Sequence, residues 1–118
     1  MKTLLRLVII GIIFVGCEKK VVEPIKFEVE GEVSYSADIQ PYFTSNCITC
    51  HGSASGAAGL NLNESGSYES LTTGGRVDME NPAESKIYTY INEGHQGFQD
   101  PEIAAYILAW IEQGALDN

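Results

Sequence analysis

Residues 47–51 are Cys47-Ile48-Thr49-Cys50-His51, and the interpretation of this 118-residue chain starts from this C-x-x-C-H stretch. Residues three apart share one face of a helical turn, so the two thiols point to the same side. The next residue adds an imidazole beside the two sulfurs. We therefore expect these three side chains to act together at a single site.

The same spacing is the attachment sequence of c-type haem. It predicts one covalent haem c held by Cys47 and Cys50 through its two vinyl groups, with His51 as the proximal iron ligand. Three other interpretations remain open. A structural zinc site would need a fourth ligand such as His95, a thioredoxin-like redox pair is expected beside a βαβ pattern that is absent here, and the two cysteines could form a structural disulfide.

Two helices are predicted on either side of a long loop. The first runs from about Ile39 to Ser45, with apolar residues on one face and Asp38 or Ser36 as its cap. The second begins at Asn81-Pro82-Ala83-Glu84, where asparagine, proline and glutamate stand at preferred N-terminal positions. Gly94 ends the second helix.

A third helix has the clearest signals. Asp100 is its predicted cap, Pro101 its first residue, and Gly114 closes it. Its apolar residues recur at helical spacing, which indicates packing surface rather than reactive groups. These residues are Ile103, Tyr106, Ile107, Trp110 and Ile111.

The loop between the first two helices, residues 52–75, is rich in glycine, serine and alanine. A short helical turn is expected within it at Tyr68–Leu71. A loop of this length inside a compact domain needs a reason. A large ligand around which it wraps would supply one.

The N-terminal residues have the pattern of an export signal. Lys2 and Arg6 precede an apolar run that ends at Gly16. The whole stretch from Leu4 to Gly16, which includes Arg6, is 13 residues long, and a helix of that length reaches ~20 Å, short of the ~30 Å hydrocarbon core. Gly16-Cys17 resembles a lipoprotein processing site, which predicts a signal peptide at 1–16, lipid on Cys17 and a tether at 17–34; ordinary cleavage leaving a free Cys17 is the alternative.

Charge limits the partners of the chain. It has 7 basic and 16 acidic residues and a net charge of −9, and losing Lys2 and Arg6 with the signal makes the mature charge −11. Such a surface repels phosphate backbones, so we expect no nucleic-acid partner. We expect redox partner proteins with basic docking patches, contact with a membrane through the N-terminal lipid, and a location in the bacterial cell envelope, facing the periplasm.

From Tyr35 to Asn118 the sequence resembles a class I c-type cytochrome, and more narrowly the small planctomycete-type cytochrome c domain. The resemblance implies an all-α fold in which three or more helices surround one covalently bound haem c, with the first and last helices crossing. Tyr42/Phe43 and Tyr106/Trp110 are suitable partners for that crossing. Besides the C-x-x-C-H motif, the blocks that carry the resemblance are Asp38-Ile39-Gln40-Pro41-Tyr42-Phe43, Gly59-Leu60-Asn61-Leu62, Asn81-Pro82-Ala83-Glu84-Ser85-Lys86-Ile87-Tyr88 and Trp110-Ile111-Glu112-Gln113-Gly114-Ala115.

This sequence differs from the family pattern at the distal iron ligand, because such domains usually supply a methionine shortly before the last helix. That place is Gly94-His95-Gln96-Gly97-Phe98. His95 would give His/His ligation, Met79 would ligate if the loop folded differently, and the sixth position could be open. Arg76 is a candidate partner for a haem propionate, with a solvated loop arginine as its alternative.

Two strong axial ligands favour electron transfer over catalysis, so the sequence predicts a membrane-tethered electron carrier and not an enzyme. A histidine in place of methionine predicts a lower reduction potential. An open distal site would instead permit a haem-based gas sensor or a minor peroxidase. A zinc-stabilised binding module is the alternative without haem.

Overall fold

A computed structural model describes residues 26–118. The predicted signal peptide, Cys17 and the first part of the predicted tether lie outside these residues. Within 26–118 the fold is helical, without strands, so the predicted helical architecture is confirmed; the crossing of the first and last helices stays a prediction. The five α-helices are α1 (Gln40–Asn46), α2 (Ile48–His51), α3 (Ser67–Thr72), α4 (Lys86–Glu93) and α5 (Pro101–Glu112).

The first helical segment starts earlier than predicted. A π-helical turn, Tyr35–Ile39, leads directly into α1, and its cap is Ser34, whose hydroxyl accepts a hydrogen bond from the Ala37 N–H. Asp38 lies inside this turn, and its carboxylate accepts a hydrogen bond from the N–H of the cap residue, Ser34, at 2.8 Å. The predicted caps, Asp38 and Ser36, are therefore wrong, since the chain becomes helical before them.

The second predicted helix is broken near its start. Residues Pro82–Glu84 form a 3₁₀ turn, and α4 begins only at Lys86. The break lies at Ser85, which is buried, and its hydroxyl accepts from the Asp78 N–H at 2.9 Å instead of capping its own helix. The Asn81 side chain makes no capping hydrogen bond.

The third predicted helix is confirmed at both ends. The Asp100 carboxylate accepts from the Ile103 N–H at 3.2 Å at the start of α5, and Gly114 follows its last turn. The buried face of α5 packs against α4 and against the π-helical turn. The core that these elements enclose consists mainly of Ile39, Phe43, Leu62, Leu71, Ile87, Ile91, Ile107, Trp110 and Ile111.

Tyr35 joins the N-terminal turn to α5. Its ring centroid lies 5.0 Å from that of Trp110 and 5.6 Å from that of Tyr68. Its hydroxyl donates to Ser67 Oγ at 2.7 Å, and Ser67 donates in turn to Oε1 of the buried Gln40. Aromatic contact and a buried hydrogen-bond chain thus fix the same corner of the fold.

The two ends of the described chain are hydrogen-bonded to each other. Gln113 accepts from the Val33 N–H at 2.8 Å and donates to the Gly31 carbonyl at 2.9 Å. The Ser36 N–H donates to the Asn118 carbonyl at 2.9 Å, and Val33 is buried. These contacts begin upstream of Tyr35, within the C-terminal part of the predicted tether.

The glycine-rich loop is held by hydrogen bonds of its own. The expected helical turn forms as α3, and the Asn61 N–H donates to Ser70 Oγ within it at 2.9 Å. The Leu62 carbonyl accepts from Gln40 Nε2 at 3.1 Å, which ties the loop to α1. No helix in residues 26–118 has both the length and the apolar character needed to cross a bilayer.

Candidate functional site

The C-x-x-C-H motif lies on α2, directly after α1. The N–H groups of Cys50 and His51 both donate to the Cys47 carbonyl, at 3.2 and 2.9 Å, so the motif forms one tight helical turn. Cys47 is half-buried against the core, while Cys50 is exposed, and both are free thiols. This turn is the arrangement that the spacing predicts.

The imidazole of His51 is oriented by the loop that follows it. Its Nδ1 lies 3.0 Å from the carbonyl oxygen of Ala57. A carbonyl can only accept, so Nδ1 carries the hydrogen, and Nε2 is left with a free lone pair. Metal-bound histidines are usually oriented in this way, by a hydrogen bond from the nitrogen that does not bind the metal.

His95 is presented by a tight turn between α4 and α5. Its N–H donates to the Phe98 carbonyl at 2.8 Å and the Phe98 N–H returns the bond at 2.9 Å. The two residues between them have positive φ, +49° at Gln96 and +85° at Gly97. Positive φ at both central positions is the geometry of a type I′ hairpin turn, and glycine is favoured at the second. His95 is the first of the four residues of this turn.

The fold brings the two imidazole rings close together. Their ring centroids are 6.2 Å apart, and the ring planes are inclined at 36°. A metal bonded to one nitrogen of each ring, with bonds of about 2.0 Å, would separate the centroids by about 6 Å. The separation therefore suits a single metal ion held between the rings. Two thiols on the same turn complete the donor set of a haem c, so the residues present fit this group.

Tyr90 supports His95 from α4. The two rings are nearly parallel, at 15°, with centroids 5.4 Å apart. The Tyr90 side chain is otherwise exposed, as is that of Phe98. Met79, the alternative ligand, lies in the segment before α4 with 61% of its side chain exposed.

Burial controls the protonation of the first cysteine. Loss of contact with water raises the pKa of the Cys47 thiol to about 11, because burial disfavours a thiolate. Tyr42 on α1 has a raised pKa, chiefly from burial and secondarily from the negative charge of Asp100. Burial among apolar groups is thus what keeps the Cys47 thiol protonated.

Three further interpretations of the site concern Arg76, the zinc alternative and Cys17. Arg76, a candidate partner for a propionate, donates hydrogen bonds to main-chain carbonyls of the glycine-rich loop. The zinc alternative needs four ligands, and in residues 26–118 no three histidine, cysteine or acidic side chains are grouped to hold a metal ion. Cys17 lies outside the described residues.

Two contributors to the site were missed from the sequence. The Ala57 carbonyl is a main-chain atom, so no residue type marks it. Tyr90 stands five residues before His95, and an aromatic residue on the polar side of a predicted helix was the available signal.

A small helical domain with a C-x-x-C-H turn and a second imidazole opposite the first has the features of a c-type cytochrome domain. Residues 47–99 match the family described as Planctomycete cytochrome C. The resemblance predicted from the sequence is confirmed over these residues, which include the motif and the turn that carries His95. The match supports a cytochrome c domain over residues 47–99. Searches of curated proteins and of solved structures found no match.

Proposed function

We propose that this chain is a mono-haem c-type cytochrome that carries electrons in the bacterial cell envelope. Cys47 and Cys50 hold the haem through thioethers, His51 is the proximal axial ligand and His95 the distal one. Bound haem supplies one-electron Fe(III)/Fe(II) chemistry. The observation that carries the proposal is the 6.2 Å separation of the two imidazole rings.

The side chains around the two imidazoles support this assignment. The hydrogen bond from His51 Nδ1 to the Ala57 carbonyl supports Nε2 as the nitrogen that would bind the iron, and such a bond makes an imidazole more basic. Tyr90 stacks on His95 and limits the rotation of its ring. Two imidazole ligands leave no position for a substrate, which favours electron transfer over catalysis, and they give a lower potential than a His/Met pair.

The proposal extends to the location and partners of the chain. The signal pattern and Cys17 support a lipid anchor, which would keep the domain close to membrane-bound redox partners. The net charge of −9 supports partners with basic docking patches.

Substitution of His95 tests the ligand assignment. In holo-protein made with the haem-attachment machinery, we expect wild type to be low-spin in both redox states. We expect His95→Ala to become fully high-spin while its haem stays covalent, because the thioethers and His51 are untouched. Absorption spectra of both redox states and a haem-stained denaturing gel measure these two properties.

Met79→Leu is the matched control, and it should keep the low-spin spectrum of wild type. A low-spin His95→Ala protein would contradict His95 as a ligand, and a high-spin Met79→Leu protein would assign Met79 instead. Rapid CO binding to reduced wild type would favour the gas sensor or peroxidase with an open distal site. Colourless protein with one bound zinc would favour the zinc module.

A further inference from the structure

Arg76 connects two parts of the glycine-rich loop: the end near Ser70 and Gly74, and the turn Ala57–Gly59 that orients His51. Its Nη2 donates to the Ala58 carbonyl at 2.8 Å, and its Nη1 donates to the carbonyls of Ser70 and Gly74 at 3.3 and 3.2 Å. Ala58 follows Ala57, whose carbonyl accepts from His51 Nδ1 at 3.0 Å. We propose that Arg76 is a positioning residue for His51, acting through this turn; the inference rests on the proposed function.

The turn Ala57–Gly59 needs support from outside. Ala58 has a φ of +55°, in the left-handed region that disfavours a residue with a Cβ. All three residues are exposed, so packing supplies little stabilisation. Within the turn, the Leu60 N–H donates to the Ala57 carbonyl at 3.2 Å. A hydrogen bond from a charged guanidinium is stronger than this neutral one, so we expect the Arg76 contact to hold the turn in place.

Arg76 is held through its main chain as well as through its side chain. The Arg76 N–H donates to the Leu71 carbonyl at the end of α3, and its carbonyl accepts from the Ile87 N–H in α4, at 3.3 and 3.2 Å. A Cβ on Gly74 would overlap both Nη1 of Arg76 and the Ser70 carbonyl oxygen. The loop sequence therefore leaves room for the planar group at this place, and the fork of N–H donors reaches several carbonyls at once.

A positioning role and a propionate contact predict different responses to substitution. Arg76→Lys keeps the charge but loses the planar fork. A propionate contact depends mainly on charge, so this variant would preserve it. Positioning depends on the fork, so the variant would release the turn. Arg76→Gln removes both the fork and the charge, and Lys86→Gln, at an exposed site in α4, is its control for the loss of one positive charge.

The hydrogen on His51 Nδ1 reports the positioning directly. In holo-protein, we expect its exchange with solvent, followed by NMR, to become about tenfold faster or more in Arg76→Lys. We also expect a higher midpoint potential, because a less basic imidazole stabilises Fe(III) less. Lys86→Gln should leave the exchange rate at the wild-type value.

Unchanged exchange in both Arg76→Lys and Arg76→Gln would overturn the positioning role. A potential that falls in Arg76→Gln, with exchange as in wild type, would assign Arg76 to the propionate. Circular dichroism establishes that each variant is folded, and Arg76→Gln gives a second chance to observe the effect if Arg76→Lys does not fold. Wild-type protein without covalent haem would instead overturn the proposed function, so the two failures are distinguishable.

Discussion

Tyr35 connects the aromatic core with the buried hydrogen-bond chain. Its ring contacts Phe43, Tyr68 and Trp110, and its hydroxyl donates to Ser67. Burial raises the pKa of Tyr35 to about 12. In the unfolded chain a tyrosine ionises near pH 10, so folding suppresses this ionisation between pH 10 and 12.

Stability should therefore depend on pH through this hydroxyl. Above about pH 10 the unfolded state releases a proton that the folded state keeps, so the contribution of Tyr35 is complete below pH 10 and is lost as pH rises toward 12. We expect Tyr35→Phe to be about 1 kcal/mol less stable than wild type at pH 8, where it lacks the hydrogen bond. At pH 11 we expect the two proteins to be about equally stable. Urea unfolding at both values measures this.

Tyr90→Phe is the control, because it removes an exposed hydroxyl and should show the pH dependence of wild type. A stability difference between Tyr35→Phe and wild type that is the same at pH 8 and pH 11 would contradict the argument. The importance of Tyr35 was not apparent from the sequence, since it lies outside the apolar spacing that predicted the first helix.

At the scale of elements, local sequence signals predicted both ends of α5 but not the residue at which α4 begins. The bounds of α5 follow from Asp100 and Pro101, whose effects act within one turn of the helix. Asn81-Pro82 is also a strong local signal, but Ser85 bonds to Asp78 and divides the segment. Such a contact outside the helix has no periodic pattern, so sequence alone could not predict the break.

The turn at residues 95–98 is the element that determines where His95 stands. Gln96 has a φ of +49°, which costs a residue with a Cβ roughly 1 kcal/mol or more. Asparagine tolerates this conformation better and favours type I′ turns before glycine. We therefore expect Gln96→Asn to raise the free energy of unfolding by about 0.5 kcal/mol and to keep the low-spin spectrum of the holo-protein. Denaturant unfolding and absorption spectra are the measurements.

Gln96→Val gives the opposite test. A β-branched residue is strongly disfavoured at positive φ, so this variant should lose about 1–2 kcal/mol and contain a measurable high-spin fraction as His95 is released. Equal stability of the asparagine and valine variants would contradict the type I′ turn. A destabilised valine variant that stays fully low-spin would show that the turn does not control His95.

At the scale of the whole molecule, sequence predicted the part of the site that is contiguous. Cys47, Cys50 and His51 lie on one turn, so their spacing defines their arrangement. The carbonyl that orients His51 belongs to Ala57, and Arg76 donates to the next carbonyl, that of Ala58; the fold of the loop brings these groups together. The pairing of His51 with His95 joins residues 44 positions apart; sequence suggested it through the lack of a methionine near α5, but only the fold gives its distance.

The charge of the domain gives a prediction for the molecule as a whole. Residues 26–118 contain 3 basic and 14 acidic side chains, and every acidic one is exposed or half-buried. At 0.01 M salt the Debye length is ~30 Å, so these charges act together on an approaching molecule. We expect oxidation of reduced holo-protein by the cation hexaammineruthenium(III) to slow by about tenfold as salt rises to ~0.2 M. Oxidation by the anion ferricyanide should become faster, and stopped-flow absorbance measures both rates.

The position of the charges matters if electrons leave near His95. Glu93 is exposed at the end of α4, two residues before His95, whereas Glu28 is exposed in the segment that precedes the first turn. Both Glu93→Gln and Glu28→Gln remove one negative charge, so they change the net charge equally. The Glu93 variant should weaken the salt dependence more, because screened charges act mainly at short range. Equal effects of the two variants would contradict electron exchange at the His95 face, and a rate with the cation that rises with salt would contradict steering by the acidic surface.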